Sequence, residues 1–307
     1  MAIESPRPYR YPAPSAGLSP GPAASPEDAP PRIPCGVPDF DYMTGGLPSG
    51  SVVLLFGEPG AGAPEFALTS AAHLMLRFDD PRLHQFYLGN AKGPFRYPEG
   101  VAYLSTSRSE SQVMDELRSA FAGIYPRVLA RHLTFRDLSP AYFQDTVVPR
   151  EWASVRSPLL SENSGSRPTP MDPVRALAES AERDGPGRLL IVDSLTDLVV
   201  RDGVSSADLL TLLKGLRRRA KEWEGIVYLL LAKGVAPPSI EQAVIDSVDV
   251  VLHFAWQTSP SRSHRQRTML IEKSMPVLAR LPAEYLGRFV IRVNPVNGLV
   301  TTQYERI

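Results

Sequence analysis

A glycine-rich turn between a predicted strand and a predicted helix has the form of a phosphate-binding loop. The apolar run Val52–Phe56 leads into Gly57-Glu58-Pro59-Gly60-Ala61-Gly62, and apolar positions at helical spacing follow. Loops of the pattern G-x-x-x-x-G-K-[ST] hold nucleotide phosphates with backbone N–H groups, a lysine and a magnesium-binding hydroxyl. Gly57 and Gly62 stand at the two glycine positions, with Gly60 between them. The spacing therefore predicts a nucleotide loop, and the next residues decide whether it can work.

The residues after the second glycine lack the groups that bind terminal phosphates and magnesium. Ala63 occupies the lysine position and Pro64 the hydroxyl position. Ala63 supplies no cation, and Pro64 supplies neither a hydroxyl nor a backbone N–H. Glu65 adds a carboxylate that competes with phosphate for the positive end of the helix dipole. Because proline is tolerated in a first helical turn, the substitutions preserve the fold. Taken alone, the stretch fits an ordinary strand-to-helix turn better than a working site.

The elements around this loop alternate between strands and helices, as in a parallel sheet built from βαβ units. The predicted strands are Ser51–Phe56, Val101–Leu104, His132–Phe135, Leu189–Val192, Ile226–Leu231 and Val248–Phe254. Helix starts are predicted at Ser109 with Gln112, Asp172 before Pro173, Ser205 with Asp208 and Ser239 with Gln242.

After Phe254 the pattern changes to strands without long helices. These strands are Arg267–Lys273, Arg288–Asn294 and Leu299–Gln303, and the Asn297-Gly298 pair between the last two predicts a hairpin. The sequence thus predicts an α/β fold in which helices flank a central, mostly parallel sheet with antiparallel C-terminal strands.

Composition limits the classes of function. The 307 residues include 33 basic and 33 acidic residues, which removes any global attraction to nucleic acid or to anionic membranes. The single cysteine, Cys35, cannot form an intramolecular disulfide, and no apolar run reaches membrane-spanning length. Five scattered histidines lack metal-ligand spacing. We expect a soluble, cytoplasmic protein that does not act on membranes.

The chain divides into a leader and one globular domain. Residues 1–32 contain nine of the 31 prolines and predict a disordered leader, because such a segment buries too little apolar surface to fold. Residues 33–307 form the predicted domain. Within it, Phe78–Glu99 and Ala153–Met171 are rich in Pro, Gly and Ser and are expected to be surface insertions.

The segments that flank the loop resemble those of KaiC-like and archaeal RecA-like ATPases. Cys35-Gly36-Val37-Pro38-Asp39-Phe40-Asp41-Tyr42 and Gly45-Gly46-Leu47-Pro48-Ser49-Gly50-Ser51 are similar to that family's lead-in, typically TGIPGLDELLGGGLPRGS. Arg188–Thr196 is similar to its Walker B strand, and Ile245–Leu252 and Thr268–Lys273 to two later strands. The resemblance covers about Ile33 to Ile307. It implies a RecA-like P-loop NTPase fold and a tendency to form rings or filaments with nucleotide sites between subunits.

Against this family pattern, the catalytic residues are replaced together. Ser107 and Arg108 stand where relatives carry two adjacent glutamates, one of which activates the attacking water. The Lys-x-Arg pair that reaches a neighbouring subunit is reduced to Lys273-Ser274-Met275. Asp193 keeps the Walker B position, where it would hold metal only if nucleotide binds; otherwise it ends a buried strand. Lys233 and Lys273 are candidate replacements for the loop lysine, with a solvated lysine as the alternative for Lys233.

Nucleic-acid binding has weaker support in the sequence. The loops that bind DNA in RecA relatives correspond to Arg201–Ser206 and Gly234–Ser239, and neither is strongly basic or aromatic. The run Arg217-Arg218-Arg219-Ala220-Lys221 is expected to be the solvated face of a helix. A second basic cluster, with Arg262, His264, Arg265 and Arg267, is predicted in a hairpin turn. It could face a neighbouring subunit, a nucleotide or an acidic partner.

Three hypotheses for function remain. The favoured one is a pseudo-ATPase: a non-hydrolysing regulatory or scaffold subunit, assembling with itself or with an active RecA/KaiC-like paralogue. It expects a protein partner and no resident cofactor, with ATP and magnesium retained only as a weak or structural ligand. The second is an atypical ATP-binding ATPase in which Lys233, Arg108 or a neighbouring subunit's basic residue replaces the loop lysine. The third is a DNA-binding recombination or repair accessory protein.

Overall fold

The computed structural model describes residues 31–89, 91, 93–149, 152, 172–258, 265–278 and 287–306. The expected leader, apart from its last two residues, and the expected insertion Ala153–Met171 lie outside the described residues. Arg32, assigned above to the leader, lies in a short strand.

The described residues form eleven strands and eleven helices. The strands are β1 Arg32–Ile33, β2 Leu47–Pro48, β3 Ser51–Gly57, β4 Val101–Ser105, β5 Leu133–Asp137, β6 Leu189–Asp193, β7 Ile226–Ala232, β8 Val250–Thr258, β9 Arg265–Ser274, β10 Gly287–Asn294 and β11 Gly298–Arg306. The helices are α1 Pro38–Thr44, α2 Ala63–Asp79, α3 Pro81–Leu88, α4 Glu110–Ala120, α5 Ile124–His132, α6 Ser139–Tyr142, α7 Pro173–Asp184, α8 Leu195–Val200, α9 Ser206–Trp223, α10 Pro238–Ser247 and α11 Met275–Leu278. Among these residues, no helix is both long enough and apolar enough to cross a bilayer.

Nine strands form one mixed sheet in the order β11-β10-β9-β8-β3-β7-β6-β4-β5. The strands from β8 to β5 pair in parallel, whereas β8, β9, β10 and β11 pair antiparallel. The predicted strands and the C-terminal hairpin are confirmed. Since β3 is central, the turn at its carboxyl end lies over the middle of the sheet, where α/β folds place ligands.

Side-chain alternation along the strands builds a separate core on each face of the sheet. On one face, the α2 face, α2 covers strand residues that include Val53, Ile191 and Tyr228. On the other, the α9 face, α7, α8, α9 and α10 cover residues that include Leu54 and Leu229. Because the period is two residues, each strand residue's parity fixes its face. The parity of a strand residue therefore determines whether its side chain can reach the glycine-rich loop after β3.

Three of the four predicted helix starts are correct. Ser109 and Gln112 form a capping box at α4, Asp172 caps α7 and Ser205 caps α9. The prediction at Ser239 is wrong, because α10 begins at Pro238 without a side-chain cap. Proline fixes φ near the helical value, so a proline at the first position can start a helix where Ser239 was expected to cap it.

The segment Phe78–Glu99 is more than the surface insertion that its composition predicted. It contains α3, which Asp80 caps by accepting from the Leu83 N–H at 3.0 Å. His84, Tyr87 and Leu88 are buried there. The segment therefore adds to the α2 face, because its apolar residues recur at helical spacing between the polar ones.

The lead-in to β3 is held by buried hydrogen bonds around Asp41. The two carboxylate oxygens accept from the backbone N–H groups of Cys35 and Gly36, each at 2.7 Å. His73 on α2 completes this region: its Nδ1 lies 2.7 Å from the Gly36 carbonyl, and its Nε2 lies 2.8 Å from the Tyr125 hydroxyl. Only Nδ1–H can donate to a carbonyl, so Nε2 accepts from the hydroxyl. Burial lowers the pKa of His73 to about 3, and the ring is neutral.

Candidate nucleotide-binding site

The glycine-rich turn predicted as a phosphate loop lies between the carboxyl end of β3 and the N-terminus of α2, in the predicted strand-turn-helix arrangement. Gly62 is the N-cap of α2, and its carbonyl accepts the first helical hydrogen bond, from Phe66 at 2.9 Å. Ala61 N–H donates to the Glu58 carbonyl at 3.0 Å, which closes the turn on itself. Pro64 lies exposed in the first helical turn, with Glu65 half-buried beside it.

Packing requires glycine at the second motif position whether or not phosphate binds. Gly62 has φ 122°, and a Cβ there would lie 3.0 Å from Ile291 Cδ1 and 3.4 Å from Leu299 Cδ1. A side chain would meet both backbone strain and the core. The glycine is thus explained by the fold alone.

A basic and aromatic cluster on β8 and β9 holds the loop from the side of the antiparallel strands. Trp256 Nε1–H donates to the Pro59 carbonyl at 3.2 Å, and Arg267 Nε–H donates to the Gly60 carbonyl at 2.8 Å. The guanidinium carbons of Arg265 and Arg267 lie 5.1 and 4.8 Å from the Trp256 ring centre. Of the predicted hairpin cluster, Arg265 and Arg267 are therefore at the loop, while Arg262 and His264 lie outside the described residues.

Sequence reasoning missed Trp256. The available signal was its register: Trp256 pairs with Arg267 across β8 and β9 and shares the α2 face with Phe254.

The backbone part of a phosphate cradle is present, while its side-chain part is missing. Within the described residues, the N–H groups of Gly60, Gly62 and Ala63 have no protein acceptor. Such amides at a helix N-terminus favour an anion. The Ala63 side chain is buried among apolar residues of the α2 face and brings no charge.

Arg108 binds the carboxylate at the Walker B position. Asp193 ends β6 on the α2 face, and its Oδ2 accepts from the Tyr103 hydroxyl at 2.5 Å and from Arg108 Nη2–H. Arg108 also donates to Tyr103 at 2.8 Å and forms an ion pair with Glu116. Burial opposes the guanidinium charge, but Tyr103, Asp193 and Glu116 outweigh it and raise the pKa of Arg108 above its ordinary value. The arginine is permanently charged beside Asp193.

The turn after β4 fixes Arg108 in this position. Ser107 Oγ–H and Thr106 Oγ1–H both donate to Asp197 Oδ2, at 2.7 and 2.5 Å. Ser105 Oγ accepts from the Arg108 N–H at 3.0 Å. Ser107 is thus a structural anchor of the turn. Asp197 was not predicted, because only the tertiary pairing of β4 with β6 brings it to the turn.

Lys233 does not turn toward the phosphate loop. It follows β7 with the parity of Leu229 and Leu231, which belong to the α9 face. Its Nζ lies 3.2 Å from His253 Nε2 and 6.0 Å from the centre of the Phe56 ring. Only its backbone reaches the loop, by donating to the Gly57 carbonyl at 2.8 Å. The structure thus places the Lys233 ammonium on the opposite face of the sheet from the α2 face, because one residue of alternation changes the face.

Lys273 also lies away from the loop. It pairs with Val251 near the start of β8, whereas the phosphate loop adjoins Phe254. Its Nζ donates to the carbonyls of Ile245 and Asp246, each at 2.9 Å, at the C-terminal end of α10. Burial lowers the pKa of Lys273. This lysine therefore stabilises a helix end within its own chain.

The residues present do not fit a magnesium nucleotide. Asp193 is bonded to Arg108, and Ala63 and Pro64 replace the lysine and the hydroxyl ligand.

Several basic residues of the segments considered for nucleic-acid binding are paired within the chain. On α9, Arg217 bonds Asp249 at 2.8 Å, and Arg219 pairs with Glu182 and Glu222. In the first loop compared with DNA-binding loops, Arg201 donates to the carbonyls of Tyr142 and Gln144. In the second, Glu241 Oε1 accepts from the Gly234 N–H at 2.6 Å.

Comparisons with known proteins agree with this architecture. No protein-family model and no curated protein matches the sequence. Among solved structures, the chain is similar to a KaiC-like protein of the archaeon Pyrococcus horikoshii OT3, at TM-score 0.57 and 16% identity, covering 89% of this chain and 99% of that one. It is equally similar to the flagellar accessory protein FlaH of Methanocaldococcus jannaschii, at TM-score 0.57 and 16% identity, covering 89% and 98%. The chain therefore has the α/β fold of these two proteins, with a mostly parallel central sheet and antiparallel C-terminal strands.

Proposed function

We propose that this protein is a non-hydrolysing, KaiC/RecA-like regulatory or scaffold subunit that acts by assembling with itself or with an active paralogue. The observation that carries the proposal is the ion pair between Arg108 and Asp193. In this pair, the guanidinium of Arg108 binds the carboxylate that an active relative would need to orient metal and water.

Electrostatics explains why this pair opposes catalysis. A magnesium ion near Asp193 would meet the guanidinium charge at short range, and like charges that close repel strongly in a partly buried site. Arg108 would have to leave Tyr103 and Asp193 first, which breaks two charge-assisted or buried hydrogen bonds. Arg108 also replaces a glutamate of the family pattern, so one residue removes a base and adds a competing cation.

The second support is that no described lysine restores the missing charge. Lys233 lies on the α9 face and Lys273 binds the end of α10. A protein with this fold that does not hydrolyse ATP can still assemble with other subunits.

The test is ATP turnover and binding by the purified full chain. We expect no magnesium-dependent phosphate release above background, and light scattering should show a species larger than one chain. Hydrolysis at rates typical of RecA-like enzymes that is lost in Asp193→Ala would overturn the proposal. A strictly monomeric protein that captures no RecA-like paralogue would contradict the scaffold role.

An engineered gain of function sharpens this test. The triple variant Ala63→Lys, Pro64→Thr, Arg108→Glu restores the cation, the hydroxyl and one carboxylate. We expect it to bind ATP with magnesium, seen as a raised melting temperature, when the parent does not. The matched control keeps Arg108 and carries only the two loop substitutions. If control and triple variant bind equally, Arg108 is not the obstacle.

A second candidate function is nucleotide binding without hydrolysis, with Arg267 as the cation. It rests on the contact between Arg267 and Gly60 and on the free loop amides. Calorimetry with ATP in the absence of magnesium should then show binding that weakens in Arg267→Gln. Absence of heat at any concentration would reject this function. DNA binding is disfavoured, since Arg201 and Glu241 are engaged within the chain; salt-sensitive binding of single-stranded DNA would revive it.

A further inference from the structure

Three polar side chains form a hydrogen-bonded row on the α9 face that the nucleotide site does not use. Glu272 Oε2 lies 3.2 Å from His253 Nδ1, and His253 Nε2 lies 3.2 Å from Lys233 Nζ. Lys233 follows the carboxyl end of β7, His253 lies within β8, and Glu272 lies near the end of β9. Its three members come from three different strand regions, so only the sheet brings them together.

Local structure explains how Glu272 reaches the histidine. The register between β8 and β9 passes from Val251 with Lys273 to Leu252 with Ile271, which leaves Glu272 unpaired in a β-bulge. Bulges commonly redirect a side chain. The hydrogen bond from His253 lowers the pKa of Glu272, so the carboxylate is ionised.

The partners of the ring determine its tautomer. The carboxylate only accepts, so His253 Nδ1 carries the proton; the Lys233 ammonium only donates, so Nε2 presents its lone pair. The Phe56 ring lies 5.5 Å from the imidazole and supports one side of it. His253 is 18% exposed and Lys233 is exposed, so a small anion can approach Nε2 from solvent.

We propose that His253 is a phosphoryl acceptor that reacts at Nε2 with small, high-energy phosphoryl donors of the acyl phosphate or phosphoramidate class. A nucleophile oriented by a third group, with a cation nearby to bind the phosphoryl oxygens, is the arrangement such transfer needs. The Nε2 lone pair forms a bond to phosphorus, and the bond from phosphorus to the leaving oxygen or nitrogen breaks. The leaving group departs with that electron pair.

Glu272 and Lys233 have separate roles in this step. Positive charge develops on the imidazole as Nε2 bonds to phosphorus, and Glu272 stabilises it through Nδ1–H. Lys233 turns from the lone pair to the phosphoryl oxygens and neutralises part of their charge. Both are positioning and electrostatic residues, and His253 alone forms the covalent bond.

The chain contains a matched control histidine. His132 is 22% exposed, its Nε2 lies 3.0 Å from Asp79 Oδ1, and its ring stacks on Phe78. It thus shares the exposure, the carboxylate and the aromatic neighbour of His253, while its cationic neighbour Arg131 is bound to the same Asp79. The carboxylate binds Nε2 in His132 and Nδ1 in His253, so the two rings also present different nitrogens. The Lys233 variants therefore assign the difference in reactivity to the lysine.

The experiment treats the full chain with phosphoramidate at neutral pH and follows each histidine by peptide mass spectrometry under non-acidic conditions. We expect His253 to react about tenfold faster than His132, the size of effect that one charge-assisted contact provides. Lys233→Gln should reduce His253 to the rate of His132, while Lys233→Arg should keep most of it. Glu272→Gln should also slow the reaction, and melting curves confirm that each variant folds.

Equal rates at the two histidines, reaction confined to the other histidines, or a Lys233→Gln rate equal to the parent's would each overturn the proposal. None of these outcomes bears on ATP hydrolysis.

Discussion

The protein has two interior carboxylates whose hydrogen-bond partners differ in kind. Asp41 lies in the lead-in to β3, and Asp193 lies at the carboxyl end of β6. Asp41 is fully buried and accepts from backbone N–H groups, which no side-chain substitution elsewhere can remove. Asp193 is 13% exposed and is satisfied by the side chains of Arg108 and Tyr103. Backbone N–H partners are present whatever the neighbouring side chains are. Side-chain partners can be changed by substitution, and the properties of the carboxylate change with them. Asp41 is therefore tied to the backbone, while the partners of Asp193 depend on which side chains surround it.

The largest expected effect is at the lead-in. Asp41→Ala leaves the Cys35 and Gly36 N–H groups buried without acceptors, and we expect a loss of about 4 kcal/mol in the free energy of unfolding, at roughly 2 per group. Urea denaturation measures it. The control Asp172→Ala removes one exposed helix cap and should cost about 1 kcal/mol. Equal losses would show that the two buried N–H groups cost no more free energy than the loss of one exposed helix cap.

The pH dependence of the free energy of unfolding tests the burial of Asp41. Burial raises the pKa of Asp41 to about 7, although its backbone hydrogen bonds act in the opposite direction. The folded state then holds a proton that the unfolded chain releases near pH 4, so this contribution is present at low pH and is lost as pH rises through 7. Between pH 5 and pH 8 it should fall by about 3 kcal/mol. The difference between the parent and Asp41→Asn over that range isolates this residue; a flat difference would contradict it.

A double-mutant cycle tests the ion pair between Arg108 and Asp193. Arg108→Ala and Asp193→Asn should each destabilise the chain, and we expect the double variant to cost about 2 kcal/mol less than their sum. The two side chains are 28% and 13% exposed, so solvent screens part of the attraction. Chemical denaturation of all four proteins gives the coupling energy. A coupling energy near zero would mean that the ion pair contributes nothing to the free energy of unfolding.

The smallest effect concerns the two loop glycines. Gly62→Ala meets Ile291 and an unfavourable φ, and should cost about 2 kcal/mol. Gly60 has φ 73°, with Trp256 3.9 Å from a built Cβ, so Gly60→Ala should cost about 1 kcal/mol. Thermal melts of both variants check the order. The reverse order would indicate that the loop is held by Trp256 rather than by the core beneath Gly62.

Local patterns predicted the elements well because each carries its own signal. Buried parallel strands are continuous apolar runs, the capping box at Ser109 is a four-residue motif, and Asn297-Gly298 specifies a hairpin. The segment Phe78–Glu99 was misread, since its Pro and Gly content concealed the apolar spacing of α3. Ser239 was misread because Pro238 starts the helix by itself.

The sequence by itself determined that the phosphate loop lacks its lysine and its hydroxyl, and that strand and helix alternate around it. Those facts are local, since residue identity and spacing carry them. Only the tertiary structure decided where the remaining charges go. The parity of β7 turns Lys233 to the α9 face, the pairing of β4 with β6 sets Arg108 on Asp193, and the register of β9 places Arg267 at Gly60. Each of these contacts joins residues far apart in the chain, and the sheet that unites them is the result of folding, which no single motif encodes.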